Sequence, residues 1–393
     1  MSGAGRSPLL IANLGAEEQA RGDPPPAAAE AASLWRLLFG RDARQRPWPA
    51  DLGEEPEGAA FPWLEGAGAF AWLVTEEARS AAARAGRELA GPEPALVRRV
   101  HDKAFAQEAA RGAGFVPPCL REAVGVLSPE ELADPGAAVR SLEERLAAWP
   151  AWLREHGKTR ATLKPRLGSS GRGRVAFESA GDPALPGAFA RLRCQGGAIL
   201  EPWLERRSDL SVQLHVDADG LLLLGTLEQH VSAAGVPRGL SGTLDRRGRV
   251  TSGTRWDEAL REAAVAVAGA ARETGFRGPC GVDAFVFSGP GGEPELRPVV
   301  ELNARFTLGT VAVGLARRAL PLVRAEFDLD ANERLRFHLA LEAPPGGWPE
   351  AGGASGVRWI GLGAGPPEAG PALLLARELQ PLAAWLSEAK TIA

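Results

Sequence analysis

Alternating apolar and polar residues predict strands in the second half of the chain. In residues 297–310 (RPVVELNARFTLGT), Glu301, Asn303 and Arg305 fall two apart and are separated by apolar residues. Successive side chains of a strand point to opposite faces, so these three share one face while their apolar neighbours enter a core. The pattern predicts a strand whose polar face carries a carboxylate, an amide and a guanidinium.

A second strand is predicted just upstream, at residues 280–287, where Asp283 is the one acid among apolar neighbours. Antiparallel pairing of the two strands would add Asp283 to Glu301 and Asn303. Such oxygen ligands suit Mg²⁺, which proteins usually hold through few carboxylates together with substrate phosphates. Asn303 is one of only three asparagines in the chain, and asparagine is unfavourable in strands, so another interaction is expected to hold it there. The structural alternative is a hairpin with a polar surface.

Other patterns predict strand–helix units at the start of the chain. Short apolar strands at residues 8–13 and 70–74 are followed by a threonine-capped helix at residues 75–85. Residues 96–115 predict the end of a strand, a turn and a helix that Asp102 caps. These units predict a small α/β domain of about 95 residues.

Lysine is rare, because only four of the 45 basic residues are lysines, at positions 103, 158, 164 and 390. Lys103 falls in the first turn of a predicted helix, where the positive end of the helix dipole disfavours a cation. An anion nearby would explain it, and a solvated side chain is the alternative. Lys164 lies on a short strand directly before a glycine-rich loop, which favours a role at a phosphate.

The loop that follows Lys164 combines small residues that let the backbone approach a ligand closely. Glycine permits positive φ angles and brings backbone N–H groups near a phosphate. The sequence matches neither the P-loop nor the dinucleotide-binding fingerprint, and a flexible hairpin is the alternative. The loop residues are Gly168, Ser169, Ser170, Gly171 and Gly173.

A connection between two further strands offers a nucleotide-binding edge. The first strand ends in Glu201, which is followed by Trp203 and Leu204, and the second begins near Asp209. A link between two lobes at this point can present backbone groups to adenine. A carboxylate at the start of the second strand can accept hydrogen bonds from ribose hydroxyls.

Composition narrows the class of protein. The chain has 393 residues, 45% of them hydrophobic and 24% charged, which suits a globular protein of two or three domains. A net charge of −4 indicates no basic field for nucleic acid or membrane. Cys119, Cys194 and Cys280 are far apart and odd in number, which favours a reducing cytoplasm over a disulfide framework or a zinc site. No signal-peptide pattern and no apolar run of about 18 residues is found.

Five segments together resemble the ATP-grasp superfamily of carboxylate–amine ligases. They follow the family's order with its usual spacings. The segments are HDK at 101–103, LKPRLGSSGRGRV at 163–175, ILEPWLERRSDLSV at 199–212, GVDAFVF at 281–287 and VELNAR at 300–305.

The resemblance implies an α/β protein, in part α+β, built from three successive parts. A small α/β domain of the kind that precedes ATP-grasp domains spans residues 1–96. A two-lobed ATP-grasp domain with antiparallel sheets spans residues 97–345, its smaller lobe at about 121–203 and its metal-binding lobe at about 204–345. Residues 346–393 form a C-terminal extension.

The resemblance also implies roles for the candidate residues. Lys103 and Lys164 would contact the phosphates of ATP beneath the closed loop 168–173. The segment from Glu201 through Trp203 to Leu204 would hold adenine, and Asp209 would bind ribose, where the family more often has glutamate.

The metal and catalytic roles follow in the same way. Asp283, Glu301 and Asn303 would bind Mg²⁺, with Mn²⁺ as an alternative ion, and the aspartate replaces a glutamate found in many members. Arg305 would face an acyl phosphate, so Arg305 and Lys164 are the implied catalytic residues.

The implied reaction activates a small-molecule carboxylate with ATP and joins it to an amine, as in peptide or amide bond formation. Amino-acid or peptide-like substrates are expected, with neither nucleic acid nor membrane as a partner. The oligomeric state is open, and a homodimer is one option. Two alternatives remain at this point: an acceptor other than an amine, such as bicarbonate or a thiol, and a nucleotide-binding module without catalysis.

Overall fold

The computed structural model describes most of the chain, with gaps in the N-terminal, loop and C-terminal segments. The described residues are 7–16, 26–40, 48–49, 58–66, 68–155, 160–168, 173–232, 237–327, 330, 333–343, 348, 357–363 and 370–378.

A small parallel sheet forms the N-terminal part of the structure. Strand β1 (Leu9–Ile11) pairs with β2 (Ala69–Ala71). Helices α1 (Pro26–Arg36) and α2 (Glu76–Arg84) lie in the same part of the chain, and the hydroxyl of Thr75 caps α2. Strands and helices alternate here, which is the α/β arrangement that the sequence predicts.

Residues 96–100 form a helix, so the predicted strand end is wrong. Helix α3 (Pro94–His101) has a proline at its first position. A backbone N–H at this position has no partner within the helix, so its absence costs no hydrogen bond. Val97 and Val100 lie three apart and are both buried, so the valines that suggest a strand instead form one face of a helix. Helix α4 (Lys103–Gly112) follows after a single residue, an aspartate that caps it as predicted.

A four-stranded sheet forms the smaller lobe and includes the two strands on either side of the glycine-rich segment. Its strands are β3 (Gly125–Leu127), β4 (Ala161–Pro165), β5 (Val175–Phe177) and β6 (Ala198–Pro202). They pair antiparallel in the order β3, β6, β4, β5. The helices of this lobe are α5 (Pro135–Ala147), α6 (Ala151–Glu155) and α7 (Leu185–Cys194).

A nine-stranded sheet forms the larger lobe. Its strands are β7 (Arg206–Val216), β8 (Leu221–Val231), β9 (Pro237–Asp245), β10 (Val250–Thr251), β11 (Gly278–Ser288), β12 (Pro294–Asn303), β13 (Arg334–Ala340), β14 (Val357–Gly361) and β15 (Ala372–Ala376). Their order is β12, β11, β7, β8, β10, β9, β13, β15, β14, and the pairings are antiparallel except that of β8 with β10. Helices α8 (Asp257–Glu273) and α9 (Leu308–Phe327) pack against this sheet.

The C-terminal and N-terminal segments both join the larger lobe. β14 and β15 come from the predicted C-terminal extension and continue the large sheet beyond β13. Trp35 and Trp72 of the N-terminal part pack against Phe306, at ring-centroid distances of 5.3 and 6.3 Å. None of the described helices combines the length and apolar character needed to cross a membrane.

Candidate active site

Two carboxylates face each other across the paired strands β11 and β12. Asp283 lies directly opposite Glu301 in the antiparallel register. Asp283 also accepts hydrogen bonds from the side-chain amides of Gln229 on β8 and Asn303 on β12, both at 2.9 Å. The three residues predicted to bind metal are therefore adjacent, and we call Asp283, Glu301 and Asn303 the carboxylate cluster.

The two acids of this cluster differ in their tendency to ionise. Burial and the negative charge of Glu301 raise the pKa of Asp283. Burial also acts to raise the pKa of Glu301, but the positive charges of Lys103 and Lys164 lower it instead. Glu301 therefore carries the negative charge, and Asp283 is the group that a further cation would ionise.

The carboxylate cluster fits a divalent cation. Two acids held side by side repel each other when both are charged, and a bound Mg²⁺ offsets that repulsion while accepting carboxylate and amide oxygens as ligands. Within the described ranges, no three His, Cys, Asp or Glu side chains are grouped to hold a metal ion. An ion at this cluster would thus depend on two acids, one amide and oxygens of a bound ligand.

Lys103 connects the carboxylate cluster to the glycine-rich segment. It is the first residue of α4 and is only 8% exposed. Its ammonium donates a hydrogen bond to the Gly168 carbonyl (2.6 Å) and pairs with the Glu301 carboxylate (3.2 Å). A carboxylate is thus the anion expected beside a lysine at the positive end of a helix, and Lys103 is not a solvated side chain.

Lys164 belongs to a second group of buried charges. Its ammonium pairs with one oxygen of Glu201, and the other oxygen of Glu201 accepts a hydrogen bond from Arg297 Nη1 at 2.8 Å. Burial acts to raise the pKa of Glu201, but these two cations lower it to about 2. Burial lowers the pKa of Lys164. Glu201 lies on the four-stranded sheet and Arg297 on the nine-stranded sheet, so we call these three residues the lobe-joining cluster.

The segment between β6 and β7 contains the predicted adenine-binding residues. The Trp203 N–H donates a hydrogen bond to the Arg160 carbonyl (2.7 Å). The guanidinium carbons of Arg160 and Arg174 each lie 4.6 Å from the centroid of the Trp203 ring. Leu204 packs against the hydrophobic clusters on both sides of this segment. The Trp203 N–H is therefore engaged within the protein, and residues 201 and 202 pair with β4 in the sheet, so adenine binding by this segment stays a prediction.

Asp209, the predicted ribose ligand, lies near the start of β7. Its carboxylate accepts a hydrogen bond from Arg206 Nη1 at 2.7 Å. The guanidinium carbon of Arg206 lies 4.4 Å from the ring centroid of Phe285, which is opposite Asp209 in the β7–β11 register. A ribose hydroxyl bound by Asp209 would have to share this carboxylate with Arg206.

Arg305 extends from the carboxylate cluster towards the N-terminal part of the structure. Its Nη2 donates to the Asn303 Oδ1 (3.2 Å) and its Nη1 to the Phe306 carbonyl (2.9 Å). Its guanidinium carbon lies 5.9 Å from the centroid of the Trp72 ring. Arg305 thus contacts both the carboxylate cluster and the aromatic residues that pack beside it.

The glycine-rich loop is described only at its two ends. Gly168 and Gly173 have φ angles of +138° and +73°, which residues with a side chain rarely adopt. Ser169, Ser170 and Gly171 lie outside the described residues, and their contacts with phosphate stay predictions.

Three side chains of this site are not predicted by the sequence. Gln229 and Arg297 bind acids 54 and 96 positions away, at Asp283 and Glu201. Arg206 is the third, and its guanidinium donates a hydrogen bond to the Asp209 carboxylate. Of these, Arg297 alone had a local signal, since it opens the polar segment that contains the carboxylate cluster's second strand.

Solved structures share this fold at low sequence identity. One is N5-carboxyaminoimidazole synthase from Aspergillus clavatus in complex with ADP and 5-aminoimidazole ribonucleotide, at 14% identity, with 82% of each chain covered and a TM-score of 0.50. A carboxyaminoimidazole ribonucleotide synthase structure from the same organism, complexed with ATP, is 15% identical over 83% of this chain and 82% of that one, with a TM-score of 0.50. A biotin carboxylase–ATP complex from Campylobacter jejuni is 14% identical over 81% of this chain and 73% of that one, also at 0.50.

These proteins are ATP-grasp enzymes, and the chain has the ATP-grasp fold. The fold predicted from the five sequence segments is confirmed. No protein-family model and no curated protein sequence matches the chain.

Proposed function

We propose that the chain is an ATP- and Mg²⁺-dependent ligase that activates a carboxylate as an acyl phosphate and joins it to an amine. The observation that carries the proposal is the position of Lys103, whose ammonium contacts both Gly168 and Glu301. Lys103 thus links the start of the glycine-rich loop to the carboxylate cluster through two short contacts. A phosphate placed beneath the loop would lie next to a cation and a metal-binding set at once.

The proposed reaction has two steps. In the first, an oxygen of the substrate carboxylate attacks the γ-phosphorus of ATP, and the bond to the β,γ-bridging oxygen breaks with its electron pair leaving on ADP. In the second, the amine nitrogen attacks the acyl carbon, the bond from that carbon to the phosphate oxygen breaks, and the nitrogen releases a proton. Both reactants of the first step are anionic, so positive charge must offset their repulsion.

Different residues of this chain would provide the positive charge. Lys103 and Lys164 would bind the phosphates as compact cations, and Arg305 would hold the acyl phosphate. Asp283, Glu301 and Asn303 would hold Mg²⁺ or Mn²⁺ together with phosphate oxygens, and the ion would offset negative charge there. Residues 1–96, 97–345 and 346–393 remain our proposed division into domains.

Adenine and ribose would bind along the segment that joins the two lobes. The backbone of the segment from Glu201 through Trp203 to Leu204 would meet the polar edge of adenine, while the Trp203 ring lies against Arg160 and Arg174. Asp209 would bind the ribose. The side chain of Glu201 would not contact the base, because it belongs to the lobe-joining cluster.

The proposal is tested by trapping the acyl phosphate. The purified chain is incubated with MgATP, a panel of carboxylic and amino acids, and hydroxylamine as the amine, and both ADP and hydroxamate are measured. We expect equal amounts of ADP and hydroxamate with at least one acid. Glu301→Gln should abolish both products, while Glu293→Gln, on the exposed turn between β11 and β12, should leave them unchanged.

Other outcomes would replace the proposal. Nucleotide binding without ADP release for every acid would support a nucleotide-binding module. ADP release that requires bicarbonate or a thiol, with no hydroxamate formed, would support an acceptor other than an amine. Full product formation by Glu301→Gln would remove the carboxylate cluster from the reaction.

A further inference from the structure

A pocket of about 160 Å³ lies where the N-terminal part of the structure meets the large sheet. Its walls come from both sides of this junction. The N-terminal side provides Trp63 and Trp72, and the large-sheet side provides His215, Phe306 and Arg305. Pockets at such junctions next to reactive groups are common ligand sites.

The aromatic walls of the pocket are packed in place by their neighbours. Trp63 stacks on His215, with ring centroids 4.2 Å apart and an angle of 17° between the ring planes. Phe306 packs against Trp63 and Trp72 at 5.7 and 6.3 Å. The chain contains no tyrosine, so these aromatic walls carry no phenolic hydroxyl. A preformed surface of this kind favours a flat apolar group.

One wall of the pocket is also part of the candidate active site. Arg305 lines the pocket and donates a hydrogen bond to Asn303 of the carboxylate cluster at 3.2 Å. A molecule whose ring fills the pocket therefore ends beside Arg305. Guanidinium groups bind carboxylates through paired hydrogen bonds, so a carboxylate is the group expected at that end.

The charges around the pocket favour an anion over a cation. Two arginines, Arg305 and Arg277, line it against a single acid, Asp217. Burial lowers the pKa of His215 to about 4, so this ring is neutral near pH 7. Aromatic walls can also bind cations, but the two arginines would repel one here.

The volume sets the size of the group that the pocket can hold. A cavity of about 150 Å³ is large enough for benzene. Sites for larger ligands start at about 300 Å³. The pocket is therefore sized for a single ring rather than for a nucleoside or a fused multi-ring system.

The geometry points to a carboxylic acid bearing one aromatic ring as the acid that this enzyme activates, with the ring in the pocket and the carboxylate at Arg305. The inference rests on the proposed ligase function, because it places the substrate of that same reaction. It names the class of acid, which the fold alone leaves open.

Binding is tested without catalysis by titrating four probes into the purified chain in the presence of MgADP. Phenylacetate carries both ring and carboxylate, acetate the carboxylate alone, benzyl alcohol the ring alone, and benzylammonium a ring with the opposite charge. We expect phenylacetate to bind at least tenfold more tightly than each of the other three. Equal binding of acetate and phenylacetate would overturn the ring pocket, and tighter binding of benzylammonium would show a site for cations.

Variants connect the binding to this pocket. Ala90 lines the pocket and is exposed, so Ala90→Trp should fill it and weaken phenylacetate binding at least tenfold. Ala83→Trp, on the exposed face of α2 and outside the pocket, is the matched control and should bind as the unmodified chain does. Val74→Ala should enlarge the pocket and improve the binding of indole-3-acetate relative to phenylacetate. Circular dichroism and melting temperature identify any variant that fails to fold.

The hydroxamate assay with the same acids separates the two proposals. Hydroxamate formed from acetate and phenylacetate with equal kcat/KM would leave the ligase function intact and overturn the ring pocket. Phenylacetate binding that Ala90→Trp abolishes, without hydroxamate from any acid, would keep the pocket and overturn the ligase function.

Discussion

The carboxylate cluster and the lobe-joining cluster are both buried groups of charges, but their charges balance differently. In the lobe-joining cluster one carboxylate, Glu201, faces the two cations Lys164 and Arg297. In the carboxylate cluster two acids lie side by side, and burial together with the negative charge of Glu301 raises the pKa of Asp283. In the first arrangement both oxygens of the acid are paired within the protein, and the pairs join two sheets. The second can accept another cation, so an excess of acids, rather than burial alone, distinguishes the candidate site.

The largest effect is expected when the lobe-joining cluster is broken. Glu201→Gln removes the negative charge and leaves two buried cations facing each other, so the free energy of unfolding should fall by about 3–5 kcal/mol. Denaturant titration measures it. Glu131→Gln is the matched control, because the Glu131–Arg145 pair is about one-third exposed on each side and should contribute at most about 1 kcal/mol. Equal losses in the two variants would show that Glu201 has no special role in joining the lobes.

Removing one acid from the carboxylate cluster should affect activity instead. Asp283→Asn should lower kcat for acyl phosphate formation by about 100- to 1000-fold, a typical loss when one charge-stabilising group of an active site is removed. Steady-state kinetics at saturating Mg²⁺ measures it. Asp219→Asn, in the exposed turn between β7 and β8, should be unchanged. An Asp283→Asn enzyme with more than a tenth of full activity would remove Asp283 from the metal site.

Both lysines should contribute to nucleotide binding. Lys103→Ala and Lys164→Ala should each weaken the binding of a non-hydrolysable ATP analogue by about 1.5–3 kcal/mol, as for a lost hydrogen bond to a charged group. Only Lys164→Ala should also destabilise the lobe-joining cluster. Calorimetric titration measures the affinities.

Controls for the lysine prediction come from the rest of the chain. Lys158 and Lys390 lie outside the described residues, and their alanine variants are expected to bind the analogue normally. Equal affinities in all four variants would remove both Lys103 and Lys164 from the nucleotide site. Lys103→Arg tests geometry, because the broad planar guanidinium should fit poorly where a compact ammonium sits between Gly168 and Glu301.

The smallest expected effect is on how the stability of the folded chain depends on pH. The folded chain without metal keeps a proton on Asp283 at pH values where the unfolded chain, with an aspartate pKa of about 3.9, has lost it. The folded state then binds more protons, so stability falls as pH rises from about 4 through the raised pKa of Asp283. Asp283→Asn should remove this fall. Melting temperatures across pH measure it, and identical profiles for the two proteins would contradict the raised pKa.

Glu201 should give the opposite dependence on pH. Its pKa is lowered in the folded chain to about 2, so the stability it contributes is present above the ordinary glutamate pKa of about 4.3 and is lost as pH falls towards 2. Comparing Glu201→Gln with the unmodified chain below pH 4 isolates this loss. A difference that grows as pH falls instead would contradict the lowered pKa of Glu201.

Much of the carboxylate cluster could be predicted because strand alternation is a local property. The spacing of Glu301 and Asn303 by two residues fixes their shared face wherever the strand lies. The antiparallel partner that carries Asp283 comes shortly before this strand in the chain, so the expected pairing needed only a short connection. The same local logic failed at residues 96–100, where two valines suit a strand or a helix equally well until the packing around them is known.

The lobe-joining cluster and the aromatic pocket depended on the tertiary structure. Glu201 and Arg297 are 96 positions apart, and the sequence contains no pattern that pairs two single charges over such a distance. The pocket brings Trp63 and Trp72 against His215 and Phe306, which lie more than 140 positions further along the chain. A period of two or 3.6 residues determines which way a side chain points within its own element. Which distant side chain it meets is determined by how sheets and helices pack, because only that packing brings separate elements into contact.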